Sequence, residues 1–537
     1  MPAVALVLGL LVAVAFLALV ARRLNVPYPI VLVLGGLAIA LIPELPRVEL
    51  AHDTVFLVFL PPLIYAGGWF TSVRDFKANL RPIGLLAVGL VVFTVLCVAV
   101  LAHTVAPELP WPAAFALGAI VAPTDAVAAT AIFQRLGAPR RIVTVLEGES
   151  LLNDASGLIA FNFAVAAALT GAFSLAEAGG QFVLSGVGGI AVGLALAWLI
   201  NQVQRRLEDP VVEITISVLV PYGIYLAAEA LHTSGILAVA VAGIYGGWRS
   251  SQTLSATTRI QAYAVWEVLL FVLNGLVFIL IGLQLPAIRD GLAHEPLGHV
   301  LAVAGLVTLV VIVARFVWVF PASYLPRLVS RRVRRDDPYP GWRNIAIVAW
   351  TGMRGVVSLA AALSLVRAFP GRDLILLTTF TVILVTLVVQ GLSLPALMRR
   401  LGVVADGHEL EEELEARTRT IEAALLRLDE LSLAEWTHDD GVAYMRRYYG
   451  KRQKTVDTRF GRLDHEHTDD GHQHEDGEDH VESHRARQEA WRRLRHELLT
   501  SERAALLGLR NAGIIGDEVL HRVERDLDLE EIRLLQD

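Results

Sequence analysis

One short run inside an apolar stretch carries most of the chemistry available to this sequence. Residues 147–155 read Glu-Gly-Glu-Ser-Leu-Leu-Asn-Asp-Ala. On a helix that turns about 100° per residue, Ser150 and Asp154 share one stripe. Glu149 and Asn153 share a neighbouring stripe, so Glu149 points well away from Asp154. The two faces therefore predict two tasks, with cation-binding oxygen atoms on one face and a carboxylate for a basic partner on the other.

A second apolar stretch is interrupted by Pro123, Thr124 and Asp125. Proline removes a helical backbone donor, so we expect a break in the helix there, with free backbone carbonyls. Thr124 and Asp125 add a hydroxyl and a carboxylate to these carbonyls. A simpler alternative is that Asp125 only accepts hydrogen bonds from backbone donors at the break. Asn153 also has two interpretations, as a ligand or as a hydrogen-bonded cross-link between helices.

A third apolar stretch contains Thr-Gly-Met-Arg-Gly at 351–355. Glycine weakens a helix, so this stretch is also expected to be broken. Its charge, Arg354, is the basic group that we expect to form an ion pair with Glu149, and this pair is more structural than ligating.

These side chains predict a site for a monovalent cation that competes with a proton. Oxygen ligands suit hard cations such as Na⁺, K⁺ or Li⁺ better than transition metals. An ionised carboxylate in the apolar interior of a bilayer is costly, so each one indicates a function. A bound cation stabilises the charged form of Asp154 and a bound proton stabilises the neutral form. Each ligand therefore displaces the other.

The elements that must position these residues are membrane helices. Of the 537 residues, 55% are hydrophobic, and the mean hydropathy is +0.54. Stretches of about 20 apolar residues indicate bilayer spans. Thirteen such segments lie near 2–21, 28–43, 54–70, 82–106, 111–134, 141–169, 178–203, 211–231, 233–247, 261–288, 298–320, 343–368 and 373–397. The predicted fold is an all-α polytopic membrane protein with about thirteen transmembrane helices over 1–397.

Basic residues in the loops predict the orientation. With the N-terminus outside, eighteen Lys or Arg residues fall in inner loops and four in outer loops. An excess of basic residues marks cytoplasmic loops. We therefore expect a multi-pass protein of the inner (plasma) membrane with its C-terminal tail in the cytoplasm. Thirteen spans divide into six, a linker and six, which inverts the second half and makes the two interrupted helices counterparts.

The motifs resemble the monovalent cation:proton antiporter family, the bacterial and eukaryotic sodium/proton exchangers. Four motifs carry the resemblance across 1–397, in family order: Leu60-Pro61-Pro62-Leu63-Ile64-Tyr65, Pro123-Thr124-Asp125-Ala126-Val127-Ala128, the run 147–155, and Gly352-Met353-Arg354-Gly355. Many family members place an acidic residue just after the Pro-Pro stretch. This chain instead reads Tyr-Ala-Gly-Gly-Trp at 65–69.

The resemblance implies roles for individual residues. Asp154 is similar to the carboxylate that binds proton and cation, and Asn153 to the asparagine beside it. Asp125, Ser150 and the backbone oxygen of Thr124 are similar to further ligands. In the same way, Glu149 and Arg354 resemble the family's core ion pair. The resemblance also implies a homodimer, two inverted repeats with broken crossing helices, and an elevator-like movement of a six-helix core.

The predicted function is exchange of a monovalent cation, Na⁺ before K⁺ or Li⁺, for H⁺. An Asn-Asp pair in place of two aspartates accompanies electroneutral exchange in the family, and we expect the same here. Alternatives are K⁺/H⁺ antiport, a cation channel, and a non-transporting sensor on the same scaffold. The sequence lacks a GxxxxGK[ST] loop for ATP and the HExxH and GxSxG motifs of enzymes. We expect no enzyme activity, cofactor or nucleic-acid partner, and no metal beyond the transported cation.

Residues 398–537 predict a water-soluble, helical cytoplasmic tail. They hold 33 acidic and 22 basic side chains, whereas 1–397 hold 20 and 24. Amphipathic helices are expected over 409–430, 485–509 and 517–534. A His-rich acidic linker at 464–484 is typical of disorder, and the alternative is a role in sensing pH or a divalent metal.

Overall fold

The computed structural model of the chain describes residues 2–42, 55–171, 175–207, 209–286, 288, 297–337, 339–403, 407–459 and 481–536. Regular structure in these residues is entirely helical. They form two compact units. One comprises Met1–Leu254 and Ala262–Ala405, and the other comprises Ser255–Gln261 and Asp406–Asp537.

Each of the thirteen apolar segments coincides with a helix or a pair of helices. In chain order the helices up to residue 401 are Pro2–Leu24; Tyr28–Ala40; the π-helical Val55–Phe59 continuing as Leu60–Trp69; Val73–Ala78; Leu80–Gly84 continuing through the π-helical Leu85–Leu90 into Val91–Val105; Trp111–Val121; Val127–Leu136; Arg140–Thr170; Leu175–Gln204; Pro210–Ala230; Gly235–Thr253; Ala256–Leu283; Leu297–Val329; Arg331–Asp336; Trp342–Trp350; Val356–Leu363; and Arg372–Val385 continuing through the π-helical Thr386–Gln390 into Gly391–Leu401. Among the described residues, eight helices are long and apolar enough to cross a bilayer by length and composition, and shorter apolar helices accompany them. The structure is therefore that of an all-α polytopic membrane protein, while the number of thirteen crossings stays a prediction.

Two sets of helices pack within the first unit. One set contains Val91–Val105, Trp111–Val121, Arg140–Thr170, Leu297–Val329, Trp342–Trp350, Val356–Leu363 and Arg372–Val385. Its interior includes the largest cluster of buried apolar side chains. The breaks at Pro123 and at 351–355 and the run 147–155 all belong to this set.

The other set contains Leu60–Trp69, Leu175–Gln204, Pro210–Ala230 and Gly235–Thr253. Small residues bring these helices close together. A Cβ atom added at Gly68 would lie 2.5 Å from the carbonyl oxygen of Ala240. Close backbone approach at glycine is a common basis of helix packing in membranes.

The second unit contains the tail helices His408–Leu431, Asp439–Arg459, Val481–Asn511 and Asp517–Gln536. Three of them contain the predicted stretches 409–430, 485–509 and 517–534, and those predictions are confirmed. The helix Asp439–Arg459 was not predicted, because its sequence is rich in Arg and Tyr and lacks a regular leucine pattern. Of the His-rich linker, 464–480 lie outside the described residues.

Candidate functional site

The first break is the non-helical segment Ala122–Ala126 between Trp111–Val121 and Val127–Leu136. The first N–H groups of a helix have no partner within it and need other acceptors. The hydroxyl of Ser150 accepts from the Ala126 N–H at 3.2 Å. The carboxylate of Asp125 accepts from the Val127 N–H at 2.8 Å. The local sequence therefore breaks the helix at Pro123 and caps the half that follows.

The second break is the non-helical segment Thr351–Gly355 between Trp342–Trp350 and Val356–Leu363. Its Arg354 N–H donates to the hydroxyl of Thr386 at 3.2 Å. The two breaks are joined directly, because the Asp125 N–H donates to the Met353 carbonyl at 2.8 Å. Broken helices that cross in this way expose helix ends inside the protein, where they can face an ion.

The two charges at the breaks lie at helix ends of opposite polarity. The Arg354 guanidinium donates to the carbonyl of Val121 at 2.9 Å, at the C-terminal end of one half-helix, and also to the carbonyl of Gly352. Asp125 lies beside Gly355, at the start of Val356–Leu363, since a Cβ added there would be 2.6 Å from the Asp125 Cγ. Helix C-termini attract cations and N-termini attract anions. Each charge is therefore stabilised by the ends around it.

The Arg140–Thr170 helix presents the two faces that its sequence predicts. Glu149 and Asn153 are each 1% exposed. Ser150 and Asp154 are half-buried, as is Asp125 across from them. The charges of Asp125 and Asp154 lie close enough to interact. Within the described residues, Asp154 makes no hydrogen bond, so its oxygen atoms remain available to a ligand.

The predicted ion pair between Glu149 and Arg354 is wrong in its basic partner. Glu149 binds Arg315 through two hydrogen bonds, of 2.5 Å and 2.8 Å. Arg315 is fully buried in Leu297–Val329, and its Nε donates to the Val348 carbonyl at 3.1 Å. The physical reason is that the guanidinium of Arg354 is occupied by carbonyls at the ends of the broken helices. A planar guanidinium from another helix is then free to match the carboxylate with two parallel bonds.

Thr124 and Asn153 link the first break to the Arg140–Thr170 helix. The Thr124 hydroxyl donates to Glu149 at 3.0 Å and accepts from the Asn153 amide at 2.8 Å. The same amide lies 3.4 Å from the Thr124 carbonyl. This geometry favours the cross-linking interpretation of Asn153. Its Oδ1 is buried and has no hydrogen-bond partner among the described residues. This oxygen therefore takes no part in the cross-link to Thr124.

The region without the family's acidic residue is lined with aromatic side chains. Tyr65 is 4% exposed, and its ring centroid lies 5.7 Å from that of Trp266 and 5.8 Å from that of Trp69. A Cβ added at Gly67 would lie 3.6 Å from Leu151 of the Arg140–Thr170 helix. Aromatic and apolar side chains therefore surround the segment 65–69, which contains no carboxylate and packs against the helix that carries Ser150 and Asp154.

Sequence reasoning missed Arg315 and Thr386 as parts of the site. Arg315 carried a signal, because it is a lone arginine inside an apolar segment, and such residues usually have a partner in the protein interior. Thr386 carried none, since a threonine in a membrane helix commonly donates to its own backbone. It does so here as well, to the Val382 carbonyl at 2.7 Å.

Comparisons with known proteins identify the family of the chain. The family model described as sodium/hydrogen exchanger, transmembrane, matches residues 9–400. A Na⁺/H⁺ exchanger of Mycobacterium tuberculosis is 36% identical over 99% of this chain and 97% of its own length. The sodium, potassium, lithium and rubidium/H⁺ antiporter of Bacillus subtilis is 36% identical over 73% of this chain and 61% of its own.

Among solved structures, the sodium proton antiporter of Methanocaldococcus jannaschii has a similar fold. Its TM-score is 0.60 at 20% identity, and the match covers 75% of this chain and 99% of that one. The family is one of transporters rather than enzymes. The family model covers most of the chain and the relative from Mycobacterium tuberculosis matches it almost end to end, so the chain belongs to the sodium/hydrogen exchanger family of cation/proton antiporters.

Proposed function

We propose that the protein exchanges Na⁺ for H⁺ at a site formed by Asp154, Asp125 and Ser150. The observation that carries the proposal is the difference in accessibility along one helix. The carboxylates of Asp154 and Asp125 and the hydroxyl of Ser150 are half-buried, whereas the neighbouring Glu149 and Asn153 are enclosed. Ser150 contacts the first break and the charge of Asp154 interacts with that of Asp125, so three oxygen-bearing side chains lie near one another, which suits a hard monovalent cation. The Thr124 carbonyl adds a fourth oxygen.

Competition between proton and cation follows from the charges around this point. Two carboxylates that share a low-dielectric site repel each other when both are ionised. A cation between them relieves that repulsion, and a proton on Asp154 removes it. An empty, doubly charged site is the least favourable state to carry through an apolar barrier. Movement of the site between the two sides is therefore coupled to its being occupied.

We propose one-for-one, electroneutral exchange because the remaining charges are already neutralised. Glu149 is held by Arg315 through two hydrogen bonds. Asn153 is neutral, so it adds no proton to the cycle. Asp125 accepts the Val127 N–H in its place at the break, and we propose that its protonation does not change during the cycle. One proton then balances one monovalent cation at Asp154.

Alternating access is proposed to be elevator-like, in a homodimer of the inner membrane with the N-terminus outside. Two separately packed sets of helices support this proposal, since the set with both breaks can move as one body against the other. A small apolar cavity is lined by Phe59, whose helix continues into Leu60–Trp69 of the second set, and by Val356 and Leu359, which follow the second break. Apolar side chains at such a boundary slide more easily than hydrogen-bonded ones.

K⁺/H⁺ antiport is the second candidate. It is favoured by the relative from Bacillus subtilis, whose name includes potassium and rubidium beside sodium and lithium. The missing carboxylate near Tyr65 also lowers the negative charge around the site, which weakens the preference for a small cation. A channel and a non-transporting sensor remain alternatives, which the transport assay distinguishes.

The test is transport by the reconstituted protein in vesicles that contain a pH-sensitive dye. Na⁺, Li⁺ and K⁺ are added in turn to wild type, Asp154→Asn and a control, Glu267→Gln. Glu267 is an exposed carboxylate in another apolar helix, so the control makes the same chemical change away from the site. We expect cation-driven proton movement in wild type and in the control, and none in Asp154→Asn. Equal responses of wild type and Asp154→Asn contradict the site, and cation current without proton movement indicates a channel.

A further inference from the structure

A basic surface lies where several membrane helices of the first unit end. Its centre is Asp337, which accepts hydrogen bonds from Arg141 and Arg327 at 2.7 Å each and also pairs with Arg81. The Arg327 Nε binds the Asp337 carbonyl at 3.0 Å. These three arginines come from the ends of three different helices. One carboxylate therefore gathers three guanidinium groups and leaves two positive charges in excess.

Four further arginines stand next to this centre in the sequence. The short helix Arg331–Asp336 carries Arg331, Arg332, Arg334 and Arg335, all on exposed positions. We define the basic patch as these four residues with Arg81, Arg141 and Arg327. In the sequence, two acidic residues, Asp336 and Asp337, accompany these seven arginines. Burial acts to raise the pKa of Asp337, but hydrogen bonds from Arg327 and Arg141 hold it below its usual value, so the carboxylate stays ionised and the arginines stay gathered.

Aromatic side chains lie beside the basic patch. The rings of Tyr324 and Tyr339 are 6.2 Å apart, and a row of aromatic rings continues from Tyr324 along its helix through Phe320. Tyr339 is 46% exposed and Trp342 is 57% exposed. Exposed Tyr and Trp next to the end of a membrane helix are typical of the level of the lipid headgroups. The patch is thus at the depth where phosphate groups are concentrated.

We propose that the basic patch binds anionic phospholipid headgroups of the leaflet at which these helices end. Guanidinium groups match phosphate oxygens in geometry as well as charge. Arg81 and Arg141 keep 31% and 42% of their side chains exposed while bound to Asp337. They can therefore reach a second anion without leaving the first. The headgroup neutralises the excess charge and fixes the ends of three helices that belong to the set with both breaks.

The experiment compares the protein in nanodiscs of phosphatidylcholine alone and of phosphatidylcholine mixed with phosphatidylglycerol. Native mass spectrometry counts the phosphatidylglycerol molecules that stay bound after release from the mixed discs. The variant R331Q/R334Q/R335Q removes three exposed charges of the basic patch. Its control, R23Q/R205Q/R206Q, removes three exposed arginines at other helix ends. We expect about tenfold less retained phosphatidylglycerol in the patch variant and a much smaller change in the control.

A single R335Q change gives a smaller loss in the same direction and guards against misfolding of the triple variant. Transport in phosphatidylcholine vesicles should equal wild type for both triple variants, because neither touches the ion site. Equal lipid retention by all three proteins, or equal loss in both triple variants, overturns the proposal. Inorganic polyphosphate is added to the protein in phosphatidylcholine discs as a further test. If it raises the melting temperature as much as phosphatidylglycerol does, the patch binds a soluble anion instead of a lipid.

Discussion

The two breaks share one backbone design and carry opposite charges. Each is five residues long, at 122–126 and 351–355, and each divides an apolar helix into two short halves. In both breaks, a backbone N–H near the end of the break donates to a hydroxyl of the next long helix. The Ala126 N–H donates to Ser150 and the Arg354 N–H donates to Thr386, each at 3.2 Å. The first break carries Asp125 and the second carries Arg354. A shared capping geometry thus supports two different electrostatic roles.

The difference extends one helical turn beyond each hydroxyl. Four residues after Ser150 stands Asp154, which is half-buried and makes no hydrogen bond within the described residues. Four residues after Thr386 stands Gln390, which is 0% exposed, with both amide atoms lacking a described partner. We propose that these matching positions reflect two inverted repeats. If Asp154 is the ion-binding group, a capped break is not sufficient for an ion site, and an ionisable side chain must also stand beside it.

The largest effect should come from Arg315→Gln. This variant tests whether Arg315, which lies in neither break, neutralises the charge of Glu149 beside the first break. Without Arg315, Glu149 is a buried carboxylate with no bidentate partner. Breaking a buried pair on one side costs about 3–5 kcal/mol. We expect little folded protein, measured as the monodisperse fraction on size-exclusion chromatography and as the melting temperature in detergent.

The matched variants are E149Q/R315Q and Arg354→Gln. The double variant removes both charges, and we expect it to recover most of the folded fraction. Arg354→Gln removes hydrogen bonds to Val121 and Gly352 but leaves Glu149 paired. It should be less harmful to folding than Arg315→Gln. The reverse order would restore Glu149–Arg354 as the ion pair that matters.

The sequence was sufficient for the parts of the site that depend on local geometry. Helical periodicity separates Ser150 and Asp154 from Glu149 and Asn153, and burial in the structure follows that separation. Pro123 predicts the first break within two residues, because a missing donor acts locally. The choice between Arg315 and Arg354 as partner of Glu149 could not be made in this way. It depends on how three helices pack, and that is decided by contacts far apart in the sequence.

The second prediction concerns the closest approach of the two breaks, at Gly355. Its φ of −134° is accessible to alanine, so a substitution there acts through its side chain rather than through backbone strain. A Cβ would come within 2.6 Å of the Asp125 Cγ and push this carboxylate away from its place beside Asp154. Misplacing a binding group by about 1 Å can cost about 100-fold. We expect Gly355→Ala to raise the KM for Na⁺ by about that factor in dye-loaded vesicles.

A suitable control for Gly355→Ala is Gly305→Ala, which adds the same methyl group where no atom lies within 4 Å. Its KM should equal that of wild type. If Gly355→Ala also left the KM unchanged, Asp125 would not be a ligand, and its role would be limited to accepting the Val127 N–H.

The third prediction compares the two capping hydroxyls. Ser150→Ala removes a cap and a proposed ligand, whereas Thr386→Val removes only a cap. A neutral hydrogen bond contributes about 1 kcal/mol to stability, so both variants should melt at slightly lower temperature. Only Ser150→Ala should also raise the KM for Na⁺, by about tenfold, because one oxygen leaves the cation. Equal KM changes in both variants would mean that the cap, rather than ligation, sets the affinity.

The smallest effect is expected at Gln390, the counterpart of Asp154. Gln390→Met keeps the length of the side chain and removes two polar atoms that have no described partner. Burying an unpartnered amide is unfavourable, so the variant should be at least as stable as wild type. Transport should stay within about twofold, since Gln390 has no charge to exchange and the proposed ligands are untouched. Stability comes from the melting temperature and transport from the vesicle assay. A loss of transport without a loss of stability would contradict the asymmetry between the breaks, because the second break would then also hold a group that the cycle requires.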